Sequence, residues 1–291
     1  MASRIRPFCS EVSAEGGEPL AGTASRVDNW ILVEYRGVWN SDALAGSGLS
    51  DQVKAHLRAQ VRALSPAKLL FIRRRERRGR EGLVVFHLKG GIGRRFQIAH
   101  YEELLDLDHE LGAPLEHPLF LVCTHGKHDP CCARYGRPLY DVLVDQADEG
   151  WIWQVTHVGG DRFAGNVVVL PEGLYYGRVR PEEAWLLLDE HLAGRIYLDR
   201  FRGRSSLPFA VQAAEIAVRE RSGLTVAELS EVDSAHSPES DRWSVRLLVE
   251  NRRFVVELRV EPGPLTYLTC SAENLRHPPR YVVETLRESD A

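Results

Sequence analysis

Three of the chain's five cysteines, Cys123, Cys131 and Cys132, lie within a single ten-residue window. They follow an apolar run, 118–123, that reads as a buried strand. Thiols crowded onto the end of a strand have few physical uses: binding a metal, exchanging disulfides, or filling a core as small apolar groups. The remaining two, Cys9 and Cys270, stand alone in sequence and read as structural or incidental. An odd number of cysteines in a chain of 291 residues argues against a secreted disulfide framework. A chain this long buries a core without covalent staples.

The rest of the composition narrows the class. Apolar residues make up 44% and charged residues 27%, as in ordinary globular proteins. The net charge of -4 argues against a chain that binds nucleic acid over its whole length. The first twenty residues contain no apolar signal-peptide core. No run approaches the roughly 20 apolar residues of a membrane span. The expectation is a reduced, cytoplasmic protein with neither nucleic acid nor membrane as partner.

Along the chain, 30–35, 68–72 and 83–88 read as strands, and 51–64 as a helix through Val53, Leu57, Val61 and Leu64. The charge run 73–80 reads as a solvated hairpin loop, with an anionic docking patch as the other use. Residues 101–111 read as a short helix, and Gly90 to Gly93 as a turn. A second pass then begins. Strand 118–123 leads into a loop carrying Cys131 and Cys132, then a helix over 133–146 whose regular part follows Pro138. Strands at 151–156, 166–170 and 174–179 precede a helix from Pro181 to about His191. This order suggests a thioredoxin-like layer, and the N-terminal third has a similar one, so a degenerate duplication fits. Beyond 203 come a helix over 206–221, a polar stretch at 231–241, and strands at 243–249, 253–260 and 265–270. The fold class is therefore α/β with an α+β tail. The expected divisions are an N-terminal α/β region at 1–112, a thioredoxin-like domain at 113–203 and an antiparallel α+β region at 204–291.

The thiol loop faces a second candidate loop, His157-Val158-Gly159-Gly160-Asp161. Thiolate, imidazole and carboxylate are all metal ligands, and paired glycines let the backbone bend around a bulky group. Cys123 and Cys132 are separated by eight residues, His157 and Asp161 by three. Two ligand pairs on two loops suit a two-iron cluster, one pair per iron. A zinc site and a pair of exchanging thiols fit the same residues.

The stretches FLVCTHGKHDPCCARYGRPLYDVL and THVGGDRFAGNVVVLPEGLYYGRV resemble the sucrase/ferredoxin-like family, as does the opening FCSEVSAEGGEPLAGTASRVDNWILVEY. The resemblance implies a thioredoxin-like [2Fe-2S] ferredoxin domain; the name implies no sugar hydrolysis, and no pair of glycosidase carboxylates is evident. Fungal relatives bind the cluster through C-x8-C and H-x3-H. Carried over by motif, the ligands are Cys123, Cys132, His157 and Asp161, with aspartate where those relatives have histidine. The fourth position is thus open: Asp161 itself, Cys131, or His125 or His128 turned inward. Imidazole in place of thiolate makes a cluster less negative and raises its potential. The resemblance implies an electron carrier exchanging electrons with donor and acceptor proteins that the sequence does not identify, and with no catalytic residues. Three alternatives remain: a cluster-dependent reductase of a small molecule, a thiol–disulfide reductase pairing Cys123 with Cys131 or Cys132, and a structural zinc protein.

Overall fold

Residues 30–33, the middle of a strand Asn29–Glu34, and Leu119–Cys123 are apolar without alternation, and both strands are buried along their whole length, which marks strands covered on both faces. They are the central strands of two units in one sheet. The computed structural model describes residues 6–75, 81–148 and 150–289. The first unit follows a short helix, α1 (Cys9–Glu15), and runs β1 (Asn29–Glu34), α2 (Asp51–Ala63), β2 (Ala67–Arg73), β3 (Leu83–Lys89), β4 (Ile92–Ile98) and β5 (Ala113–Pro114). The second runs β6 (Leu119–Cys123), α3 (Pro130–Gln146), β7 (Ile152–Val155), β8 (Val167–Leu170), β9 (Leu174–Tyr176) and α4 (Ala184–Leu192). The last region holds β10 (Phe201–Arg204), α5 (Phe209–Ser222), β11 (Ser230–Ser237), β12 (Arg242–Val249), β13 (Arg252–Pro262) and β14 (Pro279–Ser289).

The ten-stranded sheet has the order β10-β9-β8-β6-β7-β2-β1-β3-β4-β5. In each unit the first strand pairs parallel with the second across a helix and antiparallel with the third, which turns back into the fourth. The connection order of β2-β1-β3-β4 is that of β7-β6-β8-β9. The units meet at β2 and β7, antiparallel through only Ile72↔Val155 and Arg73↔Gln154. Side chains bind this seam more strongly than backbone does. Alternate residues of each strand face opposite sides, so Ile31 and Val33 pack under α2 while Trp30 and Leu32 enter a core shared with Leu121, Trp153 and Tyr175 of the second unit.

Several elements depart from the sequence reading. The Cys131 and Cys132 loop is the first turn of α3, which continues through Pro138 to Gln146. Asp129 caps it, Oδ1 accepting the Cys131 N–H at 2.9 Å, and Pro130 occupies the first turn, where its missing N–H costs nothing. The helix expected over 101–111 is one 3-10 turn, Tyr101–Leu105. The polar stretch 231–241 is largely β11, an edge strand held by main-chain pairing with β12. Residues 265–270 contribute one isolated bridge, Thr266 to Arg276, and the fourth strand of the terminal sheet is β14. Of the 73–80 charge run, 76–80 lie outside the described residues. Arg73 and Arg74 stack on Trp39 and Trp153, and Arg75 pairs with Asp141 and Asp145, so the described part is not simply solvated. Gly90 and Gly91 do form the β3–β4 turn, both with positive φ.

Candidate metal centre

Parallel neighbours β6 and β7 deliver the loops after them to the same edge of the sheet. Cys123 is the last residue of β6 and pairs with Val155, two residues before His157. Cys132 enters from the first turn of α3, and Asp161 opens a 3-10 turn, Asp161–Phe163. The helix crosses β6 closely because residue 136 is glycine: a Cβ there would lie 2.0 Å from the Cys123 carbonyl oxygen. The intervening Gly159 and Gly160 adopt φ of +112° and +81°, which side chains disfavour. A Cβ at Gly159 would meet Ser25, and one at Gly160 the Arg202 guanidinium. Fully buried Arg202 fixes this loop, donating to the Gly159 carbonyl at 3.0 Å and to Asn166 Oδ1 at 2.7 Å.

The ligand atoms of Cys123, Cys132 and His157 lie within 4.8 Å of one another. The Cys132 thiol donates to Asp161 Oδ1 at 3.2 Å, and His157 Nδ1 lies 2.8 Å from the same oxygen. That imidazole nitrogen is buried and not aligned for a hydrogen bond, leaving its lone pair or proton for another partner. The His128 ring stacks on His157 at 3.9 Å, its Nε2 3.7 Å from Asp161 Oδ2. His125 is committed elsewhere, with Nε2 2.6 Å from the Asn40 carbonyl and Nδ1 accepting the His157 backbone N–H.

The charges are coupled. A hydrogen bond from Cys132, with the His157 charge, holds the Cys123 thiol well below its usual range against the opposing effect of burial. Cys132 is pushed up by Cys123, by burial and by Asp161. Burial opposes protonation of His157, yet Asp161 and Cys123 raise it to about 9. Burial works against the Asp161 carboxylate, but His157 keeps it below the ordinary carboxyl range. Burial lowers Lys68 to about 8; its Nζ donates to the Val158 carbonyl at 2.5 Å. Lys68 and Arg202 place positive charge around an otherwise anionic donor set. Two sulfurs, an imidazole and a carboxylate suit iron or zinc and are too soft for magnesium or calcium.

His125, His128 and His157 line a cleft of about 470 Å³ that also touches Ser41, Arg58 and Arg62 of the first unit. The cleft beside the site is therefore lined by residues of both halves of the sheet. Of the predicted ligands, Cys123, Cys132, His157 and Asp161 are brought together, and Cys131 is not. Its sulfur turns away, 3.2 Å from Cys270 and 3.6 Å from Cys9. Lys68 and Arg202 were missed, since nothing in their sequence surroundings points to this loop.

Fold and site together define an α/β protein with two buried thiols, an imidazole and a carboxylate gathered at the carboxyl ends of two parallel strands. The chain belongs to the sucrase/ferredoxin-like family, whose pattern matches residues 20–203. Among curated proteins it is similar to altered inheritance of mitochondria protein 32 of Meyerozyma guilliermondii, 38% identical over 95 residues that cover 29% of this chain and 34% of that one. The protein of the same name from Debaryomyces hansenii is 34% identical over 95 residues, covering 29% and 35%. The matches span about a third of these relatives' length. Among solved structures, the thioredoxin-like [2Fe-2S] ferredoxin of Aquifex aeolicus aligns at 22% identity and a TM-score of 0.29, over 32% of this chain and 97% of that one. No helix among the described residues is long and apolar enough to cross a membrane.

Proposed function

We propose that this protein is a one-electron carrier holding a [2Fe-2S] cluster on Cys123, Cys132, His157 and Asp161. The observation that carries the reading is the convergence of Cys123, Cys132 and His157 within 4.8 Å, with Asp161 against both Cys132 and His157. The donor set fits the group: two thiols, a buried ring nitrogen without an aligned partner, and a carboxylate. When bound, the cluster supplies reversible uptake of one electron. The chain's own residues do the rest. Cys123 is already inclined to its thiolate, and Cys132 loses its proton on ligation. Arg202 fixes the His157 loop through Gly159 and Asn166. Trp39 and Asn40 of the first unit pack on His125 of the second, and together they close the site and limit access by water. His157 forms its exposed edge, in a cleft bearing Arg58 and Arg62, and there an acidic redox partner would dock. Five free cysteines suit a reducing, cytoplasmic setting.

Anaerobic purification tests the reading. The expected protein is reddish-brown, carries about two irons per chain and gives an EPR signal on one-electron reduction. Cys123→Ser and Cys132→Ser abolish the colour. Asp161→His keeps it and raises the potential, because a neutral ligand replaces an anion. A chain that stays colourless and iron-free after anaerobic reconstitution overturns the proposal. The lowered Cys123 thiol beside Cys132 supports a second reading, a thiol–disulfide reductase. That reading requires a metal-free protein whose Cys123 and Cys132 oxidise reversibly to a disulfide.

A further inference from the structure

The three cysteines left over by the cluster reading meet in a second place. Cys9 begins α1, Cys131 is in the first turn of α3, and Cys270 lies between β13 and β14. Their sulfurs form a triangle: Cys9 to Cys131 is 3.6 Å, Cys131 to Cys270 3.2 Å and Cys270 to Cys9 3.5 Å. Asp129 completes the group, its Oδ2 3.9 Å from the Cys9 sulfur, while Oδ1 caps α3. Cys9, Cys131 and Asp129 are each no more than 1% exposed. We propose that Cys9, Cys131, Cys270 and Asp129 form a second metal site, a structural zinc centre separate from the Cys123 and Cys132 group.

A disulfide among three nearly equidistant sulfurs uses two and leaves the third unpaired. A tetrahedral ion satisfies all of them. With Zn–S of about 2.3 Å, ligating sulfurs stand about 3.7 Å apart, a few tenths of an ångström wider than this triangle. Thiolate ligands select zinc over the hard cations, and a closed set of four protein ligands marks a structural site rather than a catalytic one. Polar neighbours are already in place. The Ser10 hydroxyl donates to the Cys131 sulfur at 3.1 Å, and the Cys9 backbone N–H to the Cys270 sulfur at 3.5 Å. The Cys270 N–H donates to Asp129 Oδ2 at 2.6 Å. Phe8, Tyr135, Ala164 and Tyr267 wrap the group in apolar surface.

The chain has a need at this place. Between β13 and β14 it has one isolated bridge, Thr266 to Arg276, so it has little secondary structure of its own to hold it. An ion there ties the terminal sheet to α1 and α3. Consecutive Cys131 and Cys132 then serve two centres from one helical turn. On binding, the three thiols release their protons to solvent and no electrons move.

Metal analysis of the full-length protein tests this without reference to activity. The wild type is expected to carry about one zinc per chain, whether or not iron is present. Cys270→Ser lowers zinc by about tenfold or more and leaves iron unchanged. The Cys123→Ser, Cys132→Ser double variant loses iron and keeps zinc, which separates this site from the proposed cluster and excludes zinc bound in place of iron. Growth with cobalt gives the intense thiolate-to-cobalt absorption of a tetrahedral site in the wild type and not in Cys270→Ser. Where Cys270→Ser does not fold, the double variant and the wild-type stoichiometry still decide. Wild-type zinc below about a tenth of the chain concentration, or a disulfide among Cys9, Cys131 and Cys270 in freshly purified protein, overturns the proposal.

Discussion

At position 136 a single methyl group decides how closely α3 approaches the candidate centre. The Cβ of an alanine would lie 2.0 Å from the Cys123 carbonyl oxygen; the oxygen is backbone and the Cβ is fixed to the helix, so neither can turn aside. Gly136→Ala is expected to cost about 3 kcal/mol, at the upper end of overpacking effects, and to displace Cys132 from Cys123. Urea unfolding reads the first effect and iron content the second. His87 makes a prediction of a different kind. It is buried, its Nε2 lacks a hydrogen-bond partner among the described residues, and its ring lies 4.3 Å from that of His109. Burial, then the His109 charge and Lys89, against attraction from Glu110, lower it to about 4. Above about pH 6.5 the group is neutral in both folded and unfolded chains. Between about 6.5 and 4 the unfolded chain binds a proton that the native one refuses, so stability falls as pH falls, by on the order of 3 kcal/mol at most. His87→Gln should flatten this part of the profile in urea midpoints; an unchanged slope assigns the acid sensitivity elsewhere. Legibility at this scale followed sequence distance. Cys123 with Cys132, and His157 with Asp161, are short local patterns. Cys9, Cys131 and Cys270 are brought together only by the tertiary fold, so no local spacing announces them.

Elements were legible where one face or both faces are apolar. Strands β1, β6 and β8 are buried throughout, and α2 is capped by Ser50, its side chain accepting the Val53 N–H. Strand β11 was not legible, because its stability comes from main-chain pairing along an exposed edge rather than from buried side chains. The same applies in part to β14, whose outer face joins a ladder of ion pairs, Arg242 with Glu284 and Arg252 with Glu288. The terminal sheet is fixed instead through α5. Val211, Ala214 and Val218 pack on Val245, Leu247, Val256 and Leu258. Fully buried Glu215 lies 3.0 Å from both Arg204 and Arg219, linking α5 to β10 and to its own next turn. Such a triad is weak evidence of net stabilisation, but breaking it leaves two guanidinium charges held by backbone carbonyls alone, those of Ala227, Val226 and Glu228 among them. Glu215→Ala is therefore expected to cost about 3–5 kcal/mol, and Glu215→Gln less, since the amide oxygen still accepts. Chemical denaturation measures both. A loss below about 1 kcal/mol for the alanine variant would mean that water reaches and solvates the two arginines.

On the scale of the whole molecule, the question is whether the two four-stranded units behave as one. Backbone pairing argues weakly, with two residue pairs between β2 and β7. Side chains argue strongly. Trp30, Leu32 and Phe86 of the first unit share a core with Leu121, Trp153 and Tyr175 of the second, and Phe86 meets Trp153 edge-on at 5.7 Å. Polar groups cross the seam as well: Thr156 Oγ1 accepts the Phe71 N–H at 3.0 Å, and Gln154 Oε1 accepts from both Arg73 and Thr124. The candidate centre is itself divided, with ligands from the second unit and the Trp39 to Ser41 cover from the first. A core shared across an interface unfolds as one cooperative body. Urea unfolding followed by far-UV circular dichroism and by tryptophan fluorescence should therefore superimpose, since Trp30 and Trp39 report the first unit, Trp151, Trp153 and Trp185 the second, and Trp243 the terminal sheet. In iron-loaded protein the visible absorption should vanish at the same urea concentration. Thr156→Val removes the acceptor of the Phe71 N–H and is expected to shift all three curves together, by about 1–3 kcal/mol. Two separated transitions, with absorption following only the second, would show that the first unit is an independent neighbour and that β6 to β9 hold the centre alone.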